Sequence, residues 1–462
     1  MKEFLRNTGI VLLGALFLCS PALYNAFPLV YPDTGAYLVS GFEGMVLPDR
    51  PIMYGLFLRH ISMKFSLWFP IFLQCILVAL MLYITLREFL RSQERFFLTY
   101  ISIILVLTAC TGVAWYAGQL MPDIFTPLLA LSFTYFLFAK KLHVFKVVFI
   151  SLLFVLCASV HYSHFLISML ISVILLGLTL IYKLRKKDFI PFNRVAIVVG
   201  LSGLSWLYIL SINYSYDNEF RLSKGSHAFL MSHYIETGVM AEYLKENCDK
   251  PELKNCKMCV YKDSLEVCSG NFLWCYPSTL YKTGGWIDTR EEYNYIFRQM
   301  NSDPRYFIKN MYCSFRFGLS QLFLNKVGNG LGALTGETPP GPSIKKYFLW
   351  EHNTFILSMQ YLDRLPALFD TINNFQNLLL IISVLLFIYY FGYTAHRDPE
   401  AAVIKFILFF VILNSFATAG INIPHERLQS RVVWLVVFFS MILLANKRQA
   451  VISRIRGLLG SK

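Results

Sequence analysis

The apolar residues of this chain arrive in long uninterrupted blocks, and few folds can accept them. About 20 consecutive apolar residues in a helix cover the roughly 30 Å of a bilayer's hydrocarbon core. Ten such blocks can be read along the 462 residues, at 8–26, 67–86, 98–119, 124–139, 147–160, 165–182, 195–212, 376–394, 402–420 and 431–446. Composition agrees, with 56% apolar and only 15% charged residues and a mean hydropathy of +0.51. Soluble domains carry about 25% charged residues, so a disordered chain is excluded and an ordinary soluble enzyme does not fit. The sequence predicts an all-α polytopic membrane protein with about ten transmembrane helices.

The net charge of +14 invites a nucleic-acid reading, and its distribution removes it. Basic residues cluster in short segments between apolar blocks: Arg87, Arg91 and Arg95; Lys140, Lys141 and Lys146; Lys183, Arg185, Lys186, Lys187 and Arg194. His396 and Arg397 separate the eighth and ninth blocks, and Lys447, Arg448, Arg454, Arg456 and Lys462 mark the tail. Cytoplasmic loops are enriched in this way because Lys and Arg resist translocation. With Lys2 and Arg6 ahead of the first block, every basic segment falls on one side if the block count is even. Both termini are then expected in the cytoplasm. Leu18 before Cys19 is too bulky for a lipoprotein site and no A-x-A cleavage site follows, so an uncleaved first helix is expected. A bacterial inner membrane is the expected location, with the endoplasmic reticulum membrane as the other oxidising-side possibility.

The blocks divide the chain into three parts. Residues 1–212 form an N-terminal membrane module of seven spans, 213–375 an extracytoplasmic Cys-rich loop domain with interfacial helices, and 376–462 a C-terminal module of three spans with a basic tail. Cys19, Cys75, Cys110 and Cys157 lie singly inside blocks, where a thiol behaves as a small apolar group. Cys248, Cys256, Cys259, Cys268, Cys275 and Cys313 all fall in the large outer segment. Six clustered cysteines on an oxidising side suit up to three disulfides. The Cys256-x-x-Cys259 spacing also permits zinc, but suitably spaced histidines are lacking nearby.

Charges on the outer side are the candidates for chemistry. Asp33 follows the first block in YPDTGAY, with Tyr37 behind it, and Asp49-Arg50-Pro51-Ile52-Met53-Tyr54 opens an amphipathic stretch. A carboxylate beside the bilayer can take a proton from an acceptor hydroxyl while a lipid carrier stays embedded, or it can be a solvated loop residue. Asp123 follows Pro122 between the third and fourth blocks, where it can cap a helix or face Asp33 across a cavity. His161 and His164 share a helical face and could bind a phosphate or make structural hydrogen bonds. His425, Glu426, Arg427 and Arg431 precede the last block on the side that the charge bias should keep free of cations. Arg427 and Arg431, four apart, share a face and suit bidentate phosphate binding, an Arg–Glu426 pair or lipid headgroups. Ser226-His227, Ser232-His233 and His352 sit in no nucleophile elbow, and neither a Walker A loop nor G-x-G-x-x-G occurs.

A cytoplasmic N-terminus, an acidic residue after the first span, a Pro-x-x-Tyr-like juxtamembrane run and a second acid after the third span resemble the GT-C-type membrane glycosyltransferases. The matching residues are Asp33, the Asp49–Tyr54 run and Asp123. The resemblance covers about the first 140 residues and implies a GT-C-like fold. It also implies transfer of a sugar from a polyprenyl-phosphate carrier to a lipid, glycan or protein acceptor on the extracytoplasmic face. Asp33 would be the general base, and Asp123 would position the acceptor or support Asp33. Arg50, Arg427 and Arg431 would neutralise the departing phosphate, with Tyr37, Tyr54, His161 and His164 lining the substrate. No cofactor follows from the residues. A divalent metal ion is the one the resemblance leaves open, because Thr34 follows Asp33 where the family has a second carboxylate. The alternative is a multi-pass transporter or lipid flippase, for which ionisable groups near the bilayer midplane are expected. An acyltransferase using His161 or His164 and a structural assembly protein are weaker readings.

Overall fold

The computed structural model describes residues 2–186, 190–393, 398–420 and 422–459. Lys187, His396, Arg397 and Lys462, read above as topology signals, lie outside them. Among the described residues the chain is helical, with a single isolated bridge between Leu29 and Gln119. The N-terminal half comprises α1 (Lys2–Tyr24), α2 (Pro32–Glu43), α3 (Met53–Ser62), α4 (Trp68–Phe89), α5 (Phe96–Cys110), α6 (Val113–Ala117), α7 (Phe125–Phe138), α8 (Val144–Ser159), α9 (Tyr162–Leu184) and α10 (Phe192–Asp217). Six short elements follow: α11 (Ser226–Glu236), α12 (Val239–Asn247), α13 (Ser269–Trp274), α14 (Thr279–Thr283), α15 (Gly285–Asp288) and α16 (Arg290–Ser302). The chain closes with α17 (Pro304–Phe323), α18 (Gly341–Tyr347), α19 (Leu349–Ile356), α20 (Pro366–Tyr393), α21 (Pro399–Ala419) and α22 (Glu426–Leu459).

Each of the ten apolar blocks overlaps a helix. Among the described residues, seven helices are long and apolar enough to cross a membrane: those containing Leu5–Tyr24, Trp68–Phe89, Tyr162–Leu184, Phe192–Asp217, Pro366–Gly392, Pro399–Ala419 and Glu426–Lys447. This is a helical membrane protein. The other three, α5, α7 and α8, have 15, 14 and 16 residues, about 21–24 Å of helix against a core of roughly 30 Å. The expected span 98–119 is divided. Thr111 adopts extended backbone at φ −141° and ψ 171°, its hydroxyl donates back to Leu107 O at 2.6 Å, and the Gly112 N–H is captured by Gln376 Oε1 at 2.8 Å. The side chain of α20 thus offers the backbone a partner outside the helix.

α22 is the central strut. Its residues Val432–Phe439 are all buried, as expected for a helix that is apolar all round. Trp434, the largest fully buried side chain, donates Nε1–H to the Arg431 carbonyl at 2.9 Å. Within 213–375, helices α11–α16 gather a separate apolar core around Met231, Met240, Phe272, Tyr293 and Met300. The chain then returns to the first outer loop. Gln360 donates Nε2–H to Val30 O at 2.7 Å and accepts from the Val30 N–H at 3.0 Å, while Asn25 Oδ1 accepts from the Gln360 N–H at 2.7 Å.

The cysteine expectation needs correction. Cys248 and Cys259 form a disulfide, whereas Cys256, Cys268, Cys275 and Cys313 are free thiols. Cys256 instead donates to Glu292 Oε1 at 3.4 Å, and burial with that carboxylate pushes its thiol up to about 12. Cys275 donates to Asn271 at 3.6 Å, and Cys313 lies on α17, a helix apart from the others. Peptide mapping of alkylated, non-reduced protein should therefore return one outer disulfide, Cys248–Cys259, and four alkylated outer thiols.

α2 and α3 cross where two glycines meet. A Cβ on Gly41 would collide with the Gly55 carbonyl, and one on Gly55 would stand 2.6 Å from Gly41 N and from Tyr37 O. Small residues permit this approach of helix backbones, and the connection between them carries Arg50 back over Asp33. Gly41→Ala should destabilise the protein by about 1–3 kcal/mol through overpacking, seen as a lowered Tm of the detergent-solubilised protein.

Candidate functional site

Four helix starts bring the candidate charges together. Pro32 starts α2 with its fixed φ, the Tyr31 N–H is taken by Thr34 Oγ1 at 2.9 Å, and Asp33 falls in the first turn. The acid therefore faces the positive end of its helix. Thr34 in turn donates to Leu120 O at 3.0 Å, fixing α2 against the loop that carries Asp123 in the 3-10 turn Pro122–Ile124. His161 is the N-cap of α9. Arg427 and Arg431 occupy the first two turns of α22.

The two acids share one arginine. Arg427 Nη1 lies 3.5 Å from Asp33 Oδ2, and its Nε lies 3.7 Å from Asp123 Oδ1. Arg431 donates Nη1–H to Asp123 Oδ1 at 3.0 Å and Nη2–H to Ser163 Oγ at 3.2 Å. On the other flank Arg50 donates Nη2–H to Asp33 Oδ1 at 3.3 Å and Nη1–H to the Asp33 carbonyl at 3.1 Å, and it pairs closely with Asp49. Three guanidinium groups and three carboxylates thus alternate. Buried ions are tolerated when each has an opposite partner. Arg50 also stacks over the Tyr37 ring at 4.8 Å and Arg427 over Tyr31 at 4.3 Å, contacts that suit weakly hydrated guanidinium planes.

Exposure grades through the cluster. Side-chain exposure is 32% for Asp33, 12% for Arg427, 2% for Asp123 and 1% for Arg431. Asp33 is the acid a ligand can reach, and Asp123 is the inner anchor. Arg427 Nε and Nη1 are buried without a hydrogen-bond partner among the described residues. Its guanidinium sits between two carboxylates without closing a hydrogen bond to either through those atoms.

Of the remaining expected residues, Tyr54 and His164 are committed internally. Tyr54 is fully buried and donates to Gln74 Oε1 at 2.8 Å. His164 uses Nε2 with Thr126 Oγ1 at 2.5 Å and Nδ1 with Cys157 O at 3.0 Å, so its ring serves structure, as a lone histidine pair without further ligands usually does. His161 stays with the cluster. Its Nδ1 accepts from the Ser163 N–H at 3.1 Å and lies 2.8 Å from Ser163 Oγ, the hydroxyl that accepts from Arg431. His425 borders the cluster with Nδ1 unpartnered among the described residues. Tyr31, Ser163 and Asn414 are members that sequence reasoning missed, Asn414 Oδ1 lying 3.5 Å from Arg431 Nη2. A neutral amide inside an apolar block was the one available signal among the three.

Among the described residues no group of three or more His, Cys, Asp or Glu side chains could hold a metal ion, and the site carboxylates are engaged by arginines. These residues do not fit a divalent ion. Comparisons with known protein families, with characterised proteins and with solved structures find no match.

Burial raises the Asp33 pKa, but Arg50 and Arg427 more than offset it and hold the carboxyl below its ordinary value. Burial, aided by Arg431, lowers His161 to about 3. An ordinary histidine has a pKa near 6.5, so the unfolded chain takes up a proton at His161 before the folded one can. Folding stability therefore declines as pH falls from about 6.5 towards 3. Asp33 acts in the same direction at lower pH, its contribution being lost as pH falls through its depressed folded value. Tm of the solubilised protein should fall steadily below pH 6.5, and His161→Gln should flatten the part of that fall between about pH 6.5 and 4.

Proposed function

We propose that this chain is a GT-C-type glycosyltransferase with ten membrane passages. It moves a sugar from a polyprenyl-phosphate carrier to a lipid, glycan or protein acceptor on the extracytoplasmic face of, most simply, a bacterial inner membrane. The observation that supports this reading best is the single arginine, Arg427, lying between Asp33 and Asp123. A proton-accepting carboxylate with access to ligand is thereby set beside cations able to receive a phosphate.

In this reading the acceptor hydroxyl binds against Asp33. As its oxygen attacks the anomeric carbon, its proton passes to the Asp33 carboxylate. The bond between the anomeric carbon and the phosphate oxygen breaks, and the electron pair leaves with the phosphate. Arg427 meets that developing charge through the positive potential of its guanidinium, which stands 3.5 Å from Asp33. Arg50 and Arg431 supply further positive potential, which is most effective where water is largely excluded. Asp123 holds Arg427 and Arg431 in place. It is too enclosed, at 2% exposure, to take a proton from a bulky acceptor.

The position of the charges also favours this reading over a transporter. Asp33, Asp123, His161, Arg427 and Arg431 all lie within two turns of a helix start, which in this reading sets them near a membrane surface. A carrier that passes a charged substrate is expected to place such groups near the bilayer midplane.

General-base removal costs about 10²–10⁴-fold in rate. Purified Asp33→Asn protein should lose transfer by at least about 100-fold in a panel of polyprenyl-phosphate sugars assayed with membrane acceptors. Its Tm should fall modestly with the lost Arg50 and Arg427 pairs, while the folded protein should still retain polyprenyl phosphate. Full transfer by Asp33→Asn would end the assignment.

A further inference from the structure

A second concentration of charge lies at the other end of the helices. About 13 residues separate Gln74, which contacts the Asp123 loop through Ala117 and Gln119, from Arg87 on α4, or roughly 20 Å of helix. There an open cleft of about 580 Å³ is lined by Arg87, Arg91, Lys140 and Lys146, together with Glu3 and Asn7 of α1. Glu3 is the acid among the lining residues, and it lies 3.8 Å from Arg6.

Among the described residues, Arg87, Lys140 and Lys146 have no carboxylate within ion-pair distance. Arg91 is paired with Glu400 at 2.6 Å and Asp398 at 3.9 Å, and Glu88 Oε1 accepts from the Lys140 backbone N–H at 2.5 Å. Arg87 is held in place by stacking over Phe96 at 3.9 Å and by donating to Tyr83 OH at 3.1 Å and Gln93 Oε1 at 2.9 Å. The wall therefore presents three cations, Arg87, Lys140 and Lys146, without a carboxylate partner among the described residues, around a space large enough for a ligand group. Its depth is set by the helices that form it. Glu3 and Asn7 flank the start of the first membrane-crossing segment, and Arg87 lies in the last turn of another. Val144 and Phe145, 74% and 92% exposed, immediately precede Lys146 and offer apolar surface beside the cations.

We propose that this cavity binds the phosphate of an anionic membrane lipid, with its acyl chains running down the outer faces of α1 and α8. Cations converging between membrane helices at headgroup depth match the chemistry of such a lipid, and a soluble phosphate would have no use for the apolar rim. This site is separate from the Asp33–Arg427 cluster and does not depend on the function proposed for it.

The test uses the full-length protein, delipidated in detergent, with binding of phosphatidylglycerol and of phosphatidylcholine read by native mass spectrometry. Wild type should bind phosphatidylglycerol at least tenfold more tightly than phosphatidylcholine. The Lys140→Gln/Lys146→Gln variant should lose that preference, while Lys245→Gln/Lys254→Gln, which removes the same charge from the outer segment, should keep it. Lipid-free Tm of each variant confirms folding. Equal phosphatidylglycerol binding by wild type and Lys140→Gln/Lys146→Gln overturns the proposal. Displacement of the lipid by equimolar inorganic phosphate also overturns it, by assigning the cavity to a soluble phosphate.

Discussion

Arg427 standing between Asp33 and Asp123 is the interaction on which this end of the helices depends. In a membrane protein an unpaired buried charge is costly, and removing one partner leaves the other exposed to that cost. Here the charges are chained, Asp49 to Arg50 to Asp33 to Arg427 to Asp123 to Arg431. The chain joins the first outer loop, the turn before α7 and the start of α22. Each of these segments contributes a helix end, where unsatisfied backbone groups and dipoles already shape the field.

The packing around the cluster explains how such a network keeps its geometry. α2 and α3 approach at Gly41 and Gly55 until their backbones touch, which fixes the loop carrying Arg50. The buried Trp434 reaches back to the carbonyl of Arg431. Gln360 clasps the backbone of Val30 from a distant part of the chain. The acids and arginines thus stand on supports that belong to different modules, and none of those supports is itself charged.

The membrane class and the approximate position of the helices were legible because apolar block length answers directly to bilayer thickness. Asp33, Asp123, Arg50, Arg427 and Arg431 were legible as candidates because each is a charge at an apolar boundary, and the two α22 arginines oppose the charge bias. Their pairing was not, since nothing local connects residues 308 positions apart. The break at Thr111 was hidden for a similar reason, because its cause is the remote amide of Gln376. The cysteines gave a count without a connectivity, and one pair forms where three were conceivable. Tyr31 and Ser163 carry no pattern that separates them from any other interfacial aromatic or hydroxyl.

The order of synthesis acquires a meaning from this arrangement. Asp33 and Asp123 leave the ribosome long before Arg427 and Arg431, which belong to the final helix. A growing chain must therefore carry Asp123 without its arginines, and Asp33 with Arg50 alone, until α22 docks. Insertion of α22 is then the event that neutralises the earlier helices, so a nascent chain halted before it would remain an electrostatically incomplete substrate for quality-control proteases.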